Sequence, residues 1–146
     1  MVITFVSNYI NHHQIPFCRA MFEEMGARFH FIQTQPMTQE RIRMGWSVDV
    51  TEIPYVSLLY EDEAYCRSLI AESDVVLLGW SGRADLDKLR LQSGKPTIRI
   101  SERIYREGQW KAISPRGLIS KYRAHDRYRN APVYLLCAGA YVASDF

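Results

Sequence analysis

Cysteine is scarce in this sequence: three residues, Cys18, Cys66 and Cys137, occur among 146. Their number is odd, no CxxC pair occurs, and no histidine lies at ligand spacing. The sequence therefore indicates neither a disulfide framework nor a zinc site. We expect three buried thiols in a reducing compartment. The cytoplasm is therefore the predicted location, and no metal or other cofactor is predicted.

Long apolar runs and a strong net charge are also missing. The apolar start at residues 1–6 has no basic flank, and no run approaches the ~18 residues that cross a bilayer. Eighteen Lys and Arg against sixteen Asp and Glu leave a net charge of +2, which excludes a nucleic acid as the expected main partner. A hydrophobic fraction of 47% is typical of a folded chain. The length predicts one domain over residues 1–146.

Several catalytic motifs are absent. No GxGxxG and no GxxxxGKS/T follows an expected strand, which makes a dinucleotide oxidoreductase or a P-loop enzyme improbable. GxSxG is missing as well, which excludes the usual arrangement of a serine hydrolase. The loop after the first expected strand holds no acidic residues, unlike the first loop of a phosphorelay receiver.

Short apolar strands alternate with amphipathic helices along most of the chain. This order predicts an α/β fold, a Rossmann-like three-layer sandwich with a mainly parallel sheet. We expect Leu118, Ile119 and Tyr122 to point inward from a helix that Ser114 and Pro115 open. The predicted strands cover residues 2–6, 28–34, 74–79, 97–101 and 132–137, and the predicted helices include 61–72 and 83–93.

Two segments give weaker patterns. Residues 35–60 combine proline, glycine and isolated aromatics, and predict only a short helix at 38–44 followed by irregular chain. After Cys137 the sequence predicts the start of another helix, which residue 146 interrupts. We expect the chain to be a fragment that was cut near a domain boundary.

The loops that follow the strands are the expected ligand site, because open parallel sheets bind ligands beyond the carboxyl ends of their strands. The richest loop contains Asn8, Asn11, His12 and His13. Amide groups can bind hydroxyls, and an imidazole can exchange a proton near neutral pH. An alternative is that Asn11 caps the next helix and the histidines are solvated loop residues.

Further candidates follow the later strands. Trp80, with Ser81 beside it, could stack on a sugar or another ring, or it could belong to the core. Glu102 and Arg103 could orient a polar ligand or form a local ion pair. For each of these residues the sequence leaves both interpretations open.

The second half of the chain is basic. Residues 1–73 carry a net charge of −4 and residues 74–146 a net charge of +6. Within 101–130, eight basic and three acidic groups alternate with tyrosines and a tryptophan. This pattern is typical of a solvated helix face, or of a site for phosphate, an anionic acceptor or an anionic lipid surface.

Four stretches resemble a known family: VSNYINHHQIPFCRAMFEEMG, FHFIQTQPMTQERIRMGW, ISERIYREGQWKAISPRGLISKYR and YLLCAGAYVASDF. Together they are similar to the amino-terminal half of bacterial GT-B class glycosyltransferases related to the retaining family 4 enzymes. The phrases SNYxNHHQ and SERIYxxGxW carry most of the similarity. Many members of the family have a glycine-rich turn after the first strand, where this chain has Asn8 to Asn11.

The resemblance implies one half of a GT-B fold, which is the acceptor side of a two-domain sugar transferase without a bound metal. A missing carboxy-terminal domain would hold most of the nucleotide-sugar, and the acceptor would be a saccharide or lipid-linked. His12 or His13 would face the reaction, with Asn8, Asn11, Trp80, Ser81, Glu102 and Arg103 as substrate contacts. The transferase is also expected to make peripheral contact with the anionic inner membrane face. The alternative function is a non-catalytic module that docks on an anionic partner through residues 101–130.

Overall fold

A computed structural model describes residues 1–102, 110, 113–139 and 142–143 of the chain. It contains a six-stranded, all-parallel sheet with helices on both faces, so the predicted α/β class is confirmed. The strands are β1 Ile3–Ser7, β2 Phe29–Gln33, β3 Val56–Leu58, β4 Val75–Leu78, β5 Thr97–Ser101 and β6 Val133–Cys137. The α-helices are α1 Ile15–Met25, α2 Gln39–Arg43, α3 Glu63–Glu72, α4 Ala84–Leu91 and α5 Pro115–Ala124.

The strand order is β3-β2-β1-β4-β5-β6. The chain builds outward from β1 to β3, crosses back through α3, and then builds outward in the other direction from β4 to β6. Neighbouring β1 and β4 are therefore the point at which the topology switches. This order is the one typical of Rossmann-like folds.

Two apolar layers sandwich the sheet. One face packs Val6, Ile32 and Val76 against α3 and α4. The other packs Phe5, Phe29 and Phe31 against α1. Because β1, β2 and β4 contribute buried side chains to both layers, their sequences are nearly continuous apolar runs, as in parallel strands covered on both sides.

Arg90 of α4 is fully buried at the amino-terminal edge of the sheet. Its guanidinium donates to the Thr97 hydroxyl and to four main-chain carbonyls, with N···O distances of 2.7–3.1 Å. These carbonyls end α3 or precede β4 and β5, so one side chain joins three elements. The carbonyls belong to Ile70, Ser73, Asp74 and Pro96.

Three predictions need correction. The segment predicted to be irregular contains β3, which pairs with β2 from Phe31 to Gln33. Cys137 is only partly buried, whereas Cys18 and Cys66 are buried as predicted. Leu118, Ile119 and Tyr122 were predicted to point inward, yet each is more than half exposed.

The exposure of these apolar side chains has a local cause. The face of α5 that looks toward α4 carries Arg116, Ser120 and Arg123, and a groove separates the two helices. Burying these charged and hydroxyl groups would cost free energy, so this face of α5, which also carries Ile119, does not close onto the core. Leu118 and Tyr122 are exposed because they lie outside this face. The prediction that Ser114 caps α5 is confirmed, since its Oγ accepts from the Gly117 amide at 3.0 Å.

Candidate functional site

A cleft of about 950 Å³ lies at the carboxyl ends of β1, β4 and β5, where the topology switches. Its volume lies within the usual range of small-molecule sites. Hydroxyl, amide, aromatic and charged side chains from separate loops line it. They include Asn8, Asn11, Gln14, Arg41, Trp46, Trp80, Ser81, Asp87, Arg99, Glu102 and His125.

The loop between β4 and α4 presents Trp80 to solvent with 70% of its surface exposed. Its backbone is nevertheless fixed: the Trp80 carbonyl accepts from the Asn8 amide at 2.8 Å, and the Ser81 carbonyl accepts from the Thr34 hydroxyl at 2.5 Å. The interpretation of Trp80 as a core residue is thus wrong. An exposed indole on a fixed loop is instead available for stacking.

Two glycines let this loop pass close to its neighbours. A Cβ on Gly79 would lie 3.1 Å from Ser7 Oγ and 3.2 Å from the Phe5 ring. Gly82 has a φ of +64°, and a Cβ there would lie 2.4 Å from Gln35 Nε2. Neither position accommodates a side chain without a shift, so both glycines hold the loop against β1 and β2.

Ser81 is 2% exposed. Its hydroxyl donates to Asp87 Oδ1 at 2.8 Å and accepts from the Arg83 amide at 3.1 Å. Ser81 therefore positions the loop, and its hydroxyl is engaged with protein atoms.

The loop between β1 and α1 forms the opposite wall. Asn11 Oδ1 accepts from the His13 amide at 3.0 Å, and the Asn11 carbonyl accepts from the amides of Gln14 and Ile15. Asn11 thus folds the loop just before α1, while Gln14 occupies the N-cap position without a side-chain capping bond. The alternative in which Asn11 itself caps the helix is wrong.

Gln14 contributes a buried polar group to this wall. Its Nε2 donates to Ser7 Oγ at 3.3 Å. Its Oε1 is shielded from solvent and has no hydrogen-bond partner among the described residues. An unsatisfied buried acceptor costs about 1–3 kcal/mol, and native proteins contain few of them.

His12 and His13 are exposed and lie beside the cleft, outside the set of residues that line it. Their ring centroids are 3.9 Å apart, and both rings meet Trp46 edge-on, at 5.0 and 6.0 Å. The guanidinium of Arg41 also stacks on the Trp46 ring, 4.4 Å from its centroid. A cluster of Arg41, Trp46, His12 and His13 thus borders one end of the cleft.

The wall formed by α4 and β5 is charged. Burial raises the pKa of Asp87, and the hydrogen bond from the Ser81 hydroxyl and then the Arg99 charge offset part of this rise. An Arg99 Nη1 lies 3.3 Å from His125 Nδ1 and also donates to the Ala124 carbonyl. Burial and the Arg99 charge lower the pKa of His125 to about 4, so its imidazole is neutral at pH 7.

The structure thus brings together Asn8, Asn11, Trp80, Ser81 and Glu102 of the predicted site. Arg103 falls outside the described residues. Sequence reasoning missed two groups: Arg41 with Trp46, in a segment without clear periodicity, and the wall that holds Asp87, Arg99 and neutral His125. For Asp87 and Arg99, the signal was available as charged residues inside a predicted helix and a predicted strand.

Two kinds of feature are absent from the described part of the chain. No group of three or more His, Cys, Asp or Glu residues is placed to hold a metal ion. No helix among residues 1–102, 110, 113–139 and 142–143 has the length and apolar character needed to cross a membrane.

The chain matches no family model, no curated protein and no solved structure. Fold and site therefore define its class: a Rossmann-like α/β domain with an aromatic and polar cleft at the switch point of its sheet.

Proposed function

We propose that this chain is the acceptor-side domain of a glycosyltransferase that moves a sugar from a nucleotide-sugar to a saccharide or lipid-linked acceptor. The observation that carries the proposal is the exposed Trp80 indole on a fixed loop at the switch point. An aromatic face can pack against the apolar face of a sugar ring. The resemblance of the sequence to GT-B class enzymes agrees with this assignment.

The polar residues of the cleft complement the indole. Asn8 and Asn11 offer amide donors and acceptors, and Glu102 offers a carboxylate that accepts from hydroxyls. In the proposed reaction the acceptor oxygen loses its proton to a base as it bonds to the sugar carbon, and the nucleotide diphosphate leaves with the electron pair. His12 or His13 is the proposed base, for an acceptor that extends past Trp46.

The proposal assigns most nucleotide-sugar contacts to a second domain outside this chain. Transfer requires the reacting atoms to be held about 3–3.5 Å apart, which one wall of a cleft does not achieve alone. The proposed location is the cytoplasm. Calorimetry of the 146-residue chain with uridine and guanosine diphosphate sugars should give millimolar binding or none, and micromolar binding would overturn this division of roles.

The test of the cleft is sugar binding with Trp80→Ala. Calorimetry and amide NMR with a panel of mono- and disaccharides should show saturable binding that the substitution weakens about tenfold. Trp110→Ala is the matched control, since Trp110 is 63% exposed and is not among the described residues of the cleft lining. Equal binding by both variants, or no sugar binding by the parent chain, would contradict the proposal.

The histidines are tested in the full-length transferase. His12→Ala or His13→Ala should lower kcat by about 10²-fold or more if that imidazole takes the proton. The fold should be unaffected, because both side chains are exposed. Unchanged turnover in both variants would remove the histidines from the mechanism.

A second candidate function is docking on an anionic surface such as the inner membrane face through residues 101–130. The observation that favours it is the outer face of α5, where exposed Leu118 and Tyr122 flank Lys121. Exposed apolar groups beside basic ones are typical of helices that lie at a membrane interface. Each basic group contributes about 1 kcal/mol near a charged bilayer.

Vesicle sedimentation at low and high salt tests this alternative. The chain should bind vesicles with anionic lipid, release them as salt rises, and lose binding in Leu118→Ser with Tyr122→Ser. The control replaces two other exposed apolar residues, in Met44→Ser with Tyr65→Ser. Equal recovery from neutral and anionic vesicles would exclude the docking function.

A further inference from the structure

A second cavity, of about 560 Å³, lies between α4 and α5. Its walls are one face of each helix, and its floor includes Arg99 of β5. Asp87 and Arg99 also border the cleft, so the two cavities share a charged boundary. The groove residues are Ala84, Asp87, Lys88, Leu91, Arg99, Arg116, Ile119, Ser120, Arg123, Ala124 and Tyr128.

The groove is strongly cationic. Lys88, Arg99, Arg116 and Arg123 line it, against the single carboxylate of Asp87. Within the described ranges, no carboxylate lies at ion-pair distance from Lys88, Arg116 or Arg123. The Asp87 carboxylate is already engaged by the Ser81 hydroxyl at 2.8 Å. Among the described residues of the groove, Asp87 is thus the only carboxylate, and it balances only part of the positive charge.

The groove also has apolar surface. Buried Leu91, half-exposed Ile119 and Tyr128 all belong to its lining. Arg99 is held from behind by the Ala124 carbonyl and His125. The cavity thus combines a hydrogen-bonded cation, Arg99, with long Lys and Arg side chains on both walls and an apolar patch.

Helical spacing separates this groove from the outer face of α5. Residues 116, 119, 120 and 123 repeat at intervals of three and four, so they share one side of the helix. Leu118 and Tyr122 lie outside this set, about 150° and about 110° around the helix from its centre, because each residue of an α-helix advances by about 100°. Variants of the two faces therefore report on two different surfaces.

We propose that the groove between α4 and α5 binds the phosphate or diphosphate group of a ligand that also carries an apolar substituent. Arginine guanidinium groups match phosphate oxygens in paired hydrogen bonds, and lysine adds a point charge. A diphosphate carries enough negative charge to balance the four cations and one carboxylate. The inference is independent of the proposed function, because phosphate binding here requires no sugar transfer.

Calorimetry with inorganic pyrophosphate and with geranyl diphosphate tests the proposal on the whole chain. Both should bind saturably, and geranyl diphosphate more tightly because its chain covers the exposed Ile119 side chain. Arg116→Gln with Arg123→Gln should weaken both about tenfold or more. The control is Arg19→Gln with Arg43→Gln, which removes the same charge at exposed positions outside the groove.

The groove variant and the control variant separate the outcomes. Loss of binding only in the groove variant supports the proposal, and an equal loss in both variants would show unspecific charge attraction and overturn it. Absence of saturable binding to the parent chain would overturn it as well. If the groove variant fails to fold by circular dichroism, amide NMR of the parent chain decides, since pyrophosphate should shift signals from α4 and α5.

Discussion

The two halves of the sheet differ in how completely their faces are covered. We call the half around β1, β2 and β4 the covered side, and the half that ends in β6 and α5 the open side. Around β1, β2 and β4 both faces are buried, and Val6, Phe31 and Ile32 have almost no exposed surface. At the other side, Tyr134 and Leu136 of β6 are 62% and 49% exposed, and α5 has no buried residue. The same α/β pattern thus gives a buried core on one side and a solvent-exposed surface of apolar and basic residues on the other.

The two sides are expected to serve different purposes: the covered side stabilises the fold, and the open side contacts ligands. The covered side fixes the two loops of the cleft, because Gly79, Ser81 and Asn8 all bond to residues of its strands and loops. The open side includes α5 and the groove, and most of the basic groups of the chain follow residue 73. We expect substitutions on the covered side to change the free energy of unfolding, and those on the open side to change binding.

The largest effect is expected for Arg90→Met. The substitution removes the guanidinium donor from two buried and two partly buried carbonyls, and it should lower the free energy of unfolding by about 3–5 kcal/mol. Urea denaturation followed by circular dichroism measures the loss. Arg116→Met, at an exposed arginine of the open side, should change stability by less than about 0.5 kcal/mol. Similar losses in both variants would contradict the comparison.

The next effect is expected at Gly79. Because a Cβ there lies 3.1–3.3 Å from Ser7 and Phe5, Gly79→Ala should cost about 1 kcal/mol and Gly79→Val about 2–3 kcal/mol. The same variants should weaken sugar binding, since the loop that carries Trp80 must move. A graded loss in denaturation is the expected readout, and a Gly79→Val variant as stable as the parent would refute the close packing.

A smaller, pH-dependent effect is expected at His125. Its folded pKa of about 4 lies below the ordinary value near 6.5, so between these values the unfolded chain binds a proton that the folded chain does not. The contribution of neutral His125 to the free energy of unfolding should be complete above pH 6.5 and be lost toward pH 4. After allowance for partial exposure, we expect a loss of about 1 kcal/mol. In His125→Gln this part of the fall should disappear, and an identical pH profile in both proteins would count against it.

The smallest effect is expected on the outer face of α5. Leu118→Ser with Tyr122→Ser should change the free energy of unfolding by less than about 0.5 kcal/mol, because both side chains are more than half exposed. Thermal unfolding of this variant beside the parent measures the change. A loss of 2 kcal/mol or more, the cost typical of buried apolar side chains, would show that α5 is buried in solution.

The covered side was predictable from the sequence because local pattern and burial agree there. The run from Val75 to Leu78 predicts a strand buried on both faces, and Gly26, with a φ of +57° that favours glycine, ends α1. The short strand β3 was missed because three residues carry too little pattern. It forms by pairing with β2, a contact that propensity does not encode.

The candidate site was only partly predictable. Asn8, Asn11, Trp80 and Glu102 follow from strand ends alone, since parallel strands bring their carboxyl ends to one edge. Trp46 meets His12 and His13 across more than thirty residues of chain, and nothing local announces that contact. Arg90 was hidden for the opposite reason, because an arginine in a helix is ordinarily solvated and this one is fully buried.

The hydrogen bond from the Asn8 amide to the Trp80 carbonyl has a spectroscopic consequence. It ties the two loops of the cleft together across the switch point, at 2.8 Å. A molecule that settles against the first loop will therefore disturb the environment of the Trp80 indole even where it does not touch the ring. With the other two tryptophans replaced by phenylalanine, the emission of Trp80 becomes a built-in gauge of occupancy that needs no label.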